Sequence, residues 1–168
     1  MDTNNYLSSF FSNYYGKLIP SINNIKLIAH FIKKYTPHPK IMYHLYSGMS
    51  YIDFVLIENG INEIICLEPD SLSVRTSIEI RDTLKSPNRY LTTFYNINPL
   101  SSEFIYSNAD VILISFQLDL SNILSKIKKE SKINTLLIIE SYTKPSIELN
   151  CIQTIIIEDN ISMYFYKL

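Results

Sequence analysis

Gly48 lies in a short turn, Tyr46-Ser47-Gly48-Met49-Ser50, and a carboxylate, Glu68, follows twenty residues later. Each closes an apolar run, Ile41 to Tyr46 and Glu63 to Leu67, and the apolar stretch between them has the length of a helix. The order is that of a βαβ unit. A glycine at the end of a strand lets backbone N–H groups approach a ligand, and a carboxylate at the next strand end can accept both hydroxyls of a ribose. The chemistry these two residues suggest is recognition of a nucleoside-bearing cofactor. Glu68 has a second reading, as the negative charge at the start of the helix that follows it.

Other reactive side chains are placed less sharply. His44, at the end of the first strand, is either a cofactor contact or base beside the pocket, or a hydrogen-bonded structural histidine; His30 and His38 have no spacing that completes a site with it. Asp53 and Glu58 read as the solvated face of a helix. Cys66 and Cys151 sit inside apolar runs, where a free cysteine behaves as a small buried hydrophobe, and neither has metal-ligand spacing. No metal is expected. Lys126, Lys128, Lys129 and Lys132 read as a solvated helix end, with a phosphate contact as the alternative. Neither a phosphate loop nor a Ser/His/Asp elbow is recognisable. The turn at Tyr46 to Tyr51 lacks the G-x-G-x-x-G pattern of dinucleotide oxidoreductases.

The elements that must position these residues follow from periodicity. Tyr6, Leu7, Phe10, Phe11 and Tyr14 share one face of a first helix, either a packing face or a surface for a protein partner. A second helix, with Ser21 as its cap, carries Ile25, Ile28 or Ala29, and Ile32, and ends at Thr36-Pro37-His38-Pro39. From Lys40 onward strands and helices alternate. After Ile41 to Tyr46 comes a helix with Ile52, Val55 and Leu56, stopped at Asn59-Gly60, then a strand at Ile64 to Leu67. Pro69-Asp70-Ser71 opens a helix running to Leu84, with Pro69 in its first turn and Leu72, Ile78 and Ile80 or Leu84 toward the sheet. Strands at Tyr90 to Tyr95, Ala109 to Ser115 and Thr135 to Ile139 follow, with a helix carrying Leu120, Ile123, Leu124 and Ile127 between the last two. Cys151 to Ile157 and Ile161 to Tyr166 flank Glu158-Asp159-Asn160 as a β-hairpin.

Composition sets the outer limits. The 168 residues suit one domain, and 46% hydrophobic with 18% charged residues describes a folded chain rather than a disordered one. The net charge of −1 creates no general attraction to nucleic acid or to a membrane surface. Polar residues interrupt every long apolar stretch, so no membrane span is expected. The opening Asp2-Thr3-Asn4-Asn5 is unlike a signal peptide, and a reducing cytoplasm is the expected compartment. The abundance of Ile, Asn, Tyr and Lys, with three glycines in all, reflects an AT-rich coding bias that erodes glycine motifs.

Five βα-type strands followed by an antiparallel hairpin form an order that resembles the class I S-adenosylmethionine-dependent methyltransferases, over Lys40 to Leu168. Their first motif, approximately acidic-x-G-x-G-x-G, falls on His44-Leu45-Tyr46-Ser47-Gly48-Met49-Ser50, where only the middle glycine is kept. Leu67-Glu68-Pro69-Asp70 is similar to the family's ribose-binding segment. Ala109 to Phe116 is similar to its fourth-strand segment, but lacks the Asn/Asp-Pro-Pro-aromatic form of amino-methylating members. The resemblance implies a three-layer, doubly wound α/β fold, mostly parallel with about seven strands and a terminal hairpin, as a core over 40–168 behind a helical segment over 1–39. It implies S-adenosylmethionine as cofactor, with His44, Tyr46, Ser47 and Gly48 near the methionine portion and Glu68 and Pro69 at the ribose. Asn96 or Asn98 would face the adenine, and Ser115 and Phe116 the acceptor side. The expected function is a small methyltransferase with an unidentified acceptor. The competing reading is an inactive methyltransferase-like subunit that serves as an interaction or regulatory module.

Overall fold

A computed structural model describes residues 20–168; the expected aromatic helix at Tyr6 to Tyr14 lies outside the described residues. Helix α1 (Ile22–Tyr35) begins where the Ser21 side chain accepts a hydrogen bond from the Asn24 N–H, and it buries Ile25, Ile28, Ala29 and Ile32. Then come β1 (Met42–Leu45), α2 (Tyr51–Glu58), β2 (Ile64–Glu68), α3 (Ser71–Thr83), β3 (Thr92–Asn96), β4 (Val111–Ile114), α4 (Ser121–Glu130), β5 (Leu136–Ser141), β6 (Cys151–Glu158) and β7 (Ile161–Lys167).

All seven strands form one sheet in the order β3-β2-β1-β4-β5-β7-β6. The first five strands run parallel, and β7 enters antiparallel between β5 and β6. This is the doubly wound sheet with a terminal hairpin expected from the sequence. Asn160, with φ +66°, makes the hairpin turn in the left-handed conformation that Asn tolerates. The period of two along each strand sorts side chains onto two cores. Met42, Ile64, Cys66, Val111, Leu113, Leu136 and Ile138 pack under α1, α2 and α3, whereas Tyr43, Leu45, Leu67, Ile112, Ile114, Leu137 and Ile139 face α4. The helix-strand alternation fails twice: among the described residues, β3 and β5 are followed by turns and irregular chain rather than helices. Tyr106 and Ala109 from the first of these segments, and Ile147 and Leu149 from the second, cover the α4 face instead.

Several boundaries and faces differ from expectation. Pro69 precedes the cap of α3, and Asp70 is the cap, accepting from both the N–H and the hydroxyl of Ser73 at 2.8 and 2.7 Å. Leu72 is exposed, because Val74, Ser77, Ile80 and Leu84 set the buried face and residues two apart lie roughly 200° apart around a helix. The third strand starts late, after a short 3₁₀ turn at Pro87–Leu91 capped by Ser86. Two of the four expected solvated lysines are committed. Lys126 pairs with Glu130 at 2.7 Å and donates to the Phe104 carbonyl, and Lys132 pairs with Asp110.

Asp110 ties the start of β4 to the start of β1. One of its oxygens accepts the Lys40 and Ile41 N–H groups at 2.7 and 3.1 Å, and the other faces Lys132. Burial pushes this carboxyl up, but Lys132 and the two backbone donors prevail and hold it below the usual carboxylate range. Its contribution is therefore complete above the ordinary carboxyl value and is lost as pH falls through the lowered one. Asp110→Ala is expected to cost about 1–3 kcal/mol at neutral pH. In urea denaturation the gap between wild type and variant should close as the solution is acidified, and a gap independent of pH would contradict this account. Among the described residues, no helix is long and apolar enough to cross a membrane.

Candidate functional site

The turn after β1 has the backbone of a glycine-rich loop with only one of the glycines. Tyr46, Gly48 and Ser50 have φ of +58°, +56° and +59°. These are the three positions at which the resembled motif carries glycine. A non-glycine residue in the left-handed region is held there at a cost of about 1–2 kcal/mol, so the surroundings must fix the turn. Glu68 is the principal clamp. Its Oε2 accepts the Gly48 N–H at 2.8 Å and its Oε1 accepts the Asp70 N–H at 2.8 Å. The Tyr46 N–H bonds to the Leu67 carbonyl at 2.8 Å, and the Tyr46 ring packs on the α4-side core. A Cβ built on Gly48 would meet nothing within 4 Å.

That open space belongs to a cavity of about 350 Å³ at the carboxyl ends of the parallel strands. Of the residues singled out from the sequence, His44, Tyr46, Ser47 and Gly48 line it from the end of β1. Glu68 and Pro69 line it from the end of β2, and Ser115 and Phe116 from the end of β4. Asn96 and Asn98 are not among its lining residues. The Asn96 side-chain amide donates to the carbonyls of Glu68 and Pro69 at 3.1 and 2.8 Å, and the Asn98 side chain accepts the Leu100 N–H at 2.9 Å within its own turn. Both asparagines serve the chain's own backbone.

Beneath the turn, side chains from β1, α2, β2, the end of β4 and β5 meet. His44 Nδ1 lies 2.7 and 2.8 Å from the two Asp53 oxygens, and His44 Nε2 lies 2.7 Å from Ser115 Oγ. The Ser115 hydroxyl is in turn hydrogen-bonded to Glu140, at the end of β5. The Cys66 thiol donates to Asp53 Oδ2 at 3.4 Å. The buried hydroxyls of Ser47 and Ser50 have no partner beyond the weak one that this thiol offers. His44, Asp53, Cys66 and Glu140 are all buried.

Burial by itself would pull the His44 pKa down, but the Asp53 carboxylate, followed by Glu140 and Glu68, outweighs burial and raises it above the ordinary 6.5. Burial also raises Glu140 above the usual carboxylate range, against the opposing pull of Ser115 and His44. Cys66 stands well above its ordinary value through burial and the adjacent Asp53, so the thiol is protonated.

Asp53 corrects the expectation of a solvated helix face, because it is fully buried. Glu58, on the same helix, is half-buried and accepts the Ser86 hydroxyl. Glu140 was not foreseen at all. A signal for Asp53 exists in the sequence: it is the one charge among Tyr51-Ile52-Asp53-Phe54-Val55-Leu56-Ile57, and a helix apolar on every side is a buried helix. The signal for Glu140 is weaker, since the fifth strand was expected to stop at Ile139 and the observed one runs on to Ser141.

No protein-family model matches the chain, and no curated protein matches it in sequence. Solved structures match its fold. A methyltransferase from Geobacter sulfurreducens superposes with a TM-score of 0.69 at 11% identity, over 100% of this chain and 90% of that one. A putative methyltransferase from Escherichia coli gives 0.69 at 11% identity, over 88% and 84% of the two chains. An RNA methyltransferase from Salinibacter ruber, in complex with S-adenosyl-L-homocysteine, gives 0.65 at 12% identity, over 84% and 90%. The fold of this chain is the methyltransferase fold.

Proposed function

We propose that this protein binds S-adenosylmethionine in the cavity at the ends of β1, β2 and β4 and transfers its methyl group to an acceptor. The observation that carries the reading is the turn itself, left-handed at Tyr46, Gly48 and Ser50 and open above Gly48. A sequence that has lost two glycines but keeps their backbone geometry retains the cradle that lets peptide N–H groups approach a ligand. When bound, S-adenosylmethionine supplies a methyl group activated by a sulfonium.

The chain's own residues divide the remaining work. Glu68 uses two of the roughly four lone-pair sites of a carboxylate on Gly48 and Asp70, which leaves acceptor capacity for the ribose hydroxyls. The motif's acidic position is filled by His44, whose ring nitrogens are both engaged within the protein. Among the described residues Glu140 is the other carboxylate on the cavity wall, and beyond its bond to the Ser115 hydroxyl it has acceptor sites for the cationic end of the ligand. Ser115, Phe116 and Gln117 form the side where an acceptor would be held in line with the methyl group. Two structural neighbours are described as an RNA methyltransferase and a putative RNA methyltransferase, so RNA is the first acceptor to assay.

Calorimetric titration with S-adenosylmethionine and S-adenosylhomocysteine tests the reading. Wild type is expected to bind in the micromolar range. Glu68→Ala is expected to lose about 1.5–3 kcal/mol, the contribution of hydrogen bonds to a charged group. Absence of binding by a folded wild-type protein would overturn the enzyme reading in favour of an interaction module.

A further inference from the structure

His44, Asp53 and Ser115 stand in the relation of base, orienting acid and nucleophile. The Asp53 carboxylate receives the His44 Nδ1–H through both oxygens, at 2.7 and 2.8 Å, which fixes the ring and leaves Nε2 pointing at Ser115 Oγ, 2.7 Å away. Asp53 is fully buried and His44 nearly so, whereas Ser115 is partly exposed and lines the 350 Å³ cavity. The hydroxyl is thus the member of the array that a substrate can reach; it is also bonded to Glu140, so its proton must turn from that carboxyl group to His44 Nε2 when the oxygen attacks. This constellation is recognised by geometry and role rather than by position in the chain, and no Gly-x-Ser-x-Gly pattern surrounds Ser115 to announce it.

We propose that Ser115 is an activated nucleophile, with His44 as its base and Asp53 as the positioning residue, and that the cavity accepts small activated acyl esters. Ser115 Oγ attacks the ester carbonyl carbon and its proton passes to His44 Nε2. The carbon–oxygen bond to the leaving group breaks, the leaving alkoxide takes that proton, and the acyl group remains on Ser115. Water then attacks the acyl carbon, releases the carboxylic acid and restores the hydroxyl. This activity goes beyond methyl transfer and does not depend on it.

The groups around His44 predict the pH dependence. Asp53 from α2, Glu140 from β5 and Glu68 from β2 all favour the imidazolium, which cannot accept the serine proton, and Cys66 contributes a neutral thiol. Reactivity should therefore rise with pH and level off above the ordinary histidine value, rather than peaking near neutrality.

The test is labelling of the cofactor-free full chain with an alkyl fluorophosphonate. In that reaction Ser115 Oγ bonds to phosphorus as fluoride leaves. Peptide mass spectrometry on wild type should place the adduct on Ser115, and 4-nitrophenyl acetate should give a burst of nitrophenol. Asp53→Asn should slow labelling by about 10⁴-fold, as when the orienting acid of such an array is neutralised, and should change the pH profile. Ser115→Ala, checked for folding by circular dichroism, should abolish both signals. An unlabelled wild-type protein at alkaline pH, an adduct on another residue, or labelling that Asp53→Asn leaves unchanged would each overturn the proposal. Because no S-adenosylmethionine is present, these outcomes stand apart from the binding titration.

Discussion

Asp53→Ala is expected to lower folding stability by about 3–5 kcal/mol, the cost of removing one partner from a buried ion pair. The loss has a specific origin. Without Asp53, His44 Nδ1 and the Cys66 thiol are left without their acceptor in a helix–sheet contact where all three side chains are buried. Asp53→Asn keeps an oxygen in place and should cost less. In a double-mutant cycle with His44→Leu, the two substitutions should cost less together than their sum, with a coupling of about 0.5–3 kcal/mol. Urea denaturation followed by far-ultraviolet circular dichroism gives these values. A cost below about 1 kcal/mol, typical of surface positions, would mean that Asp53 is not in the buried pair.

The second large effect concerns the turn. Gly48→Val is expected to weaken S-adenosylmethionine binding by more than about tenfold while costing about 1–2 kcal/mol of stability. The stability term comes from placing a β-branched residue at φ +56°. The binding term comes from the side chain itself, because space is open where the Gly48 Cβ would stand and that space is the cavity. Gly48→Ala separates the two, since it imposes most of the backbone strain with little intrusion. Calorimetry and thermal denaturation on both variants check the argument. Equal binding by wild type and Gly48→Val would remove the cavity from consideration as the cofactor site.

The two predictions probe residues that the sequence treated very differently. Gly48 and Glu68 were visible because their spacing belongs to a βαβ unit, and the structure places both on one cavity wall. Asp53 was misread because a helix of eight residues gives periodicity little to act on, and Phe54, Val55 and Leu56 hide the orientation of the one charge. Asn96 and Asn98 were chosen by analogy of position after β3, and there the Asn96 amide donates across to the end of β2 while the Asn98 side-chain oxygen accepts within its own turn. Leu72 shows the same limit on a smaller scale, since Val74, Ser77, Ile80 and Leu84 took the sheet face and left it in solvent.

What the sequence determined by itself was order and local ends: five parallel-type strands, the helix capped at Ser21, the helix opening near Pro69 to Ser71, the stop at Asn59-Gly60 and the closing hairpin. Periods of 2 and 3.6 and turn chemistry act over a few residues, so neighbours in the chain suffice to specify them. Only tertiary structure decided that positions 44, 53, 115 and 140 converge, and that Tyr46 and Ser50 hold a glycine's backbone conformation. Convergence depends on the register of β1 against β4, where Met42 pairs with Val111, and of β4 against β5, where Val111 pairs with Leu136. The strained turn depends on Glu68 reaching Gly48 from the neighbouring strand. Both are contacts between segments far apart in the chain, and no local pattern encodes them.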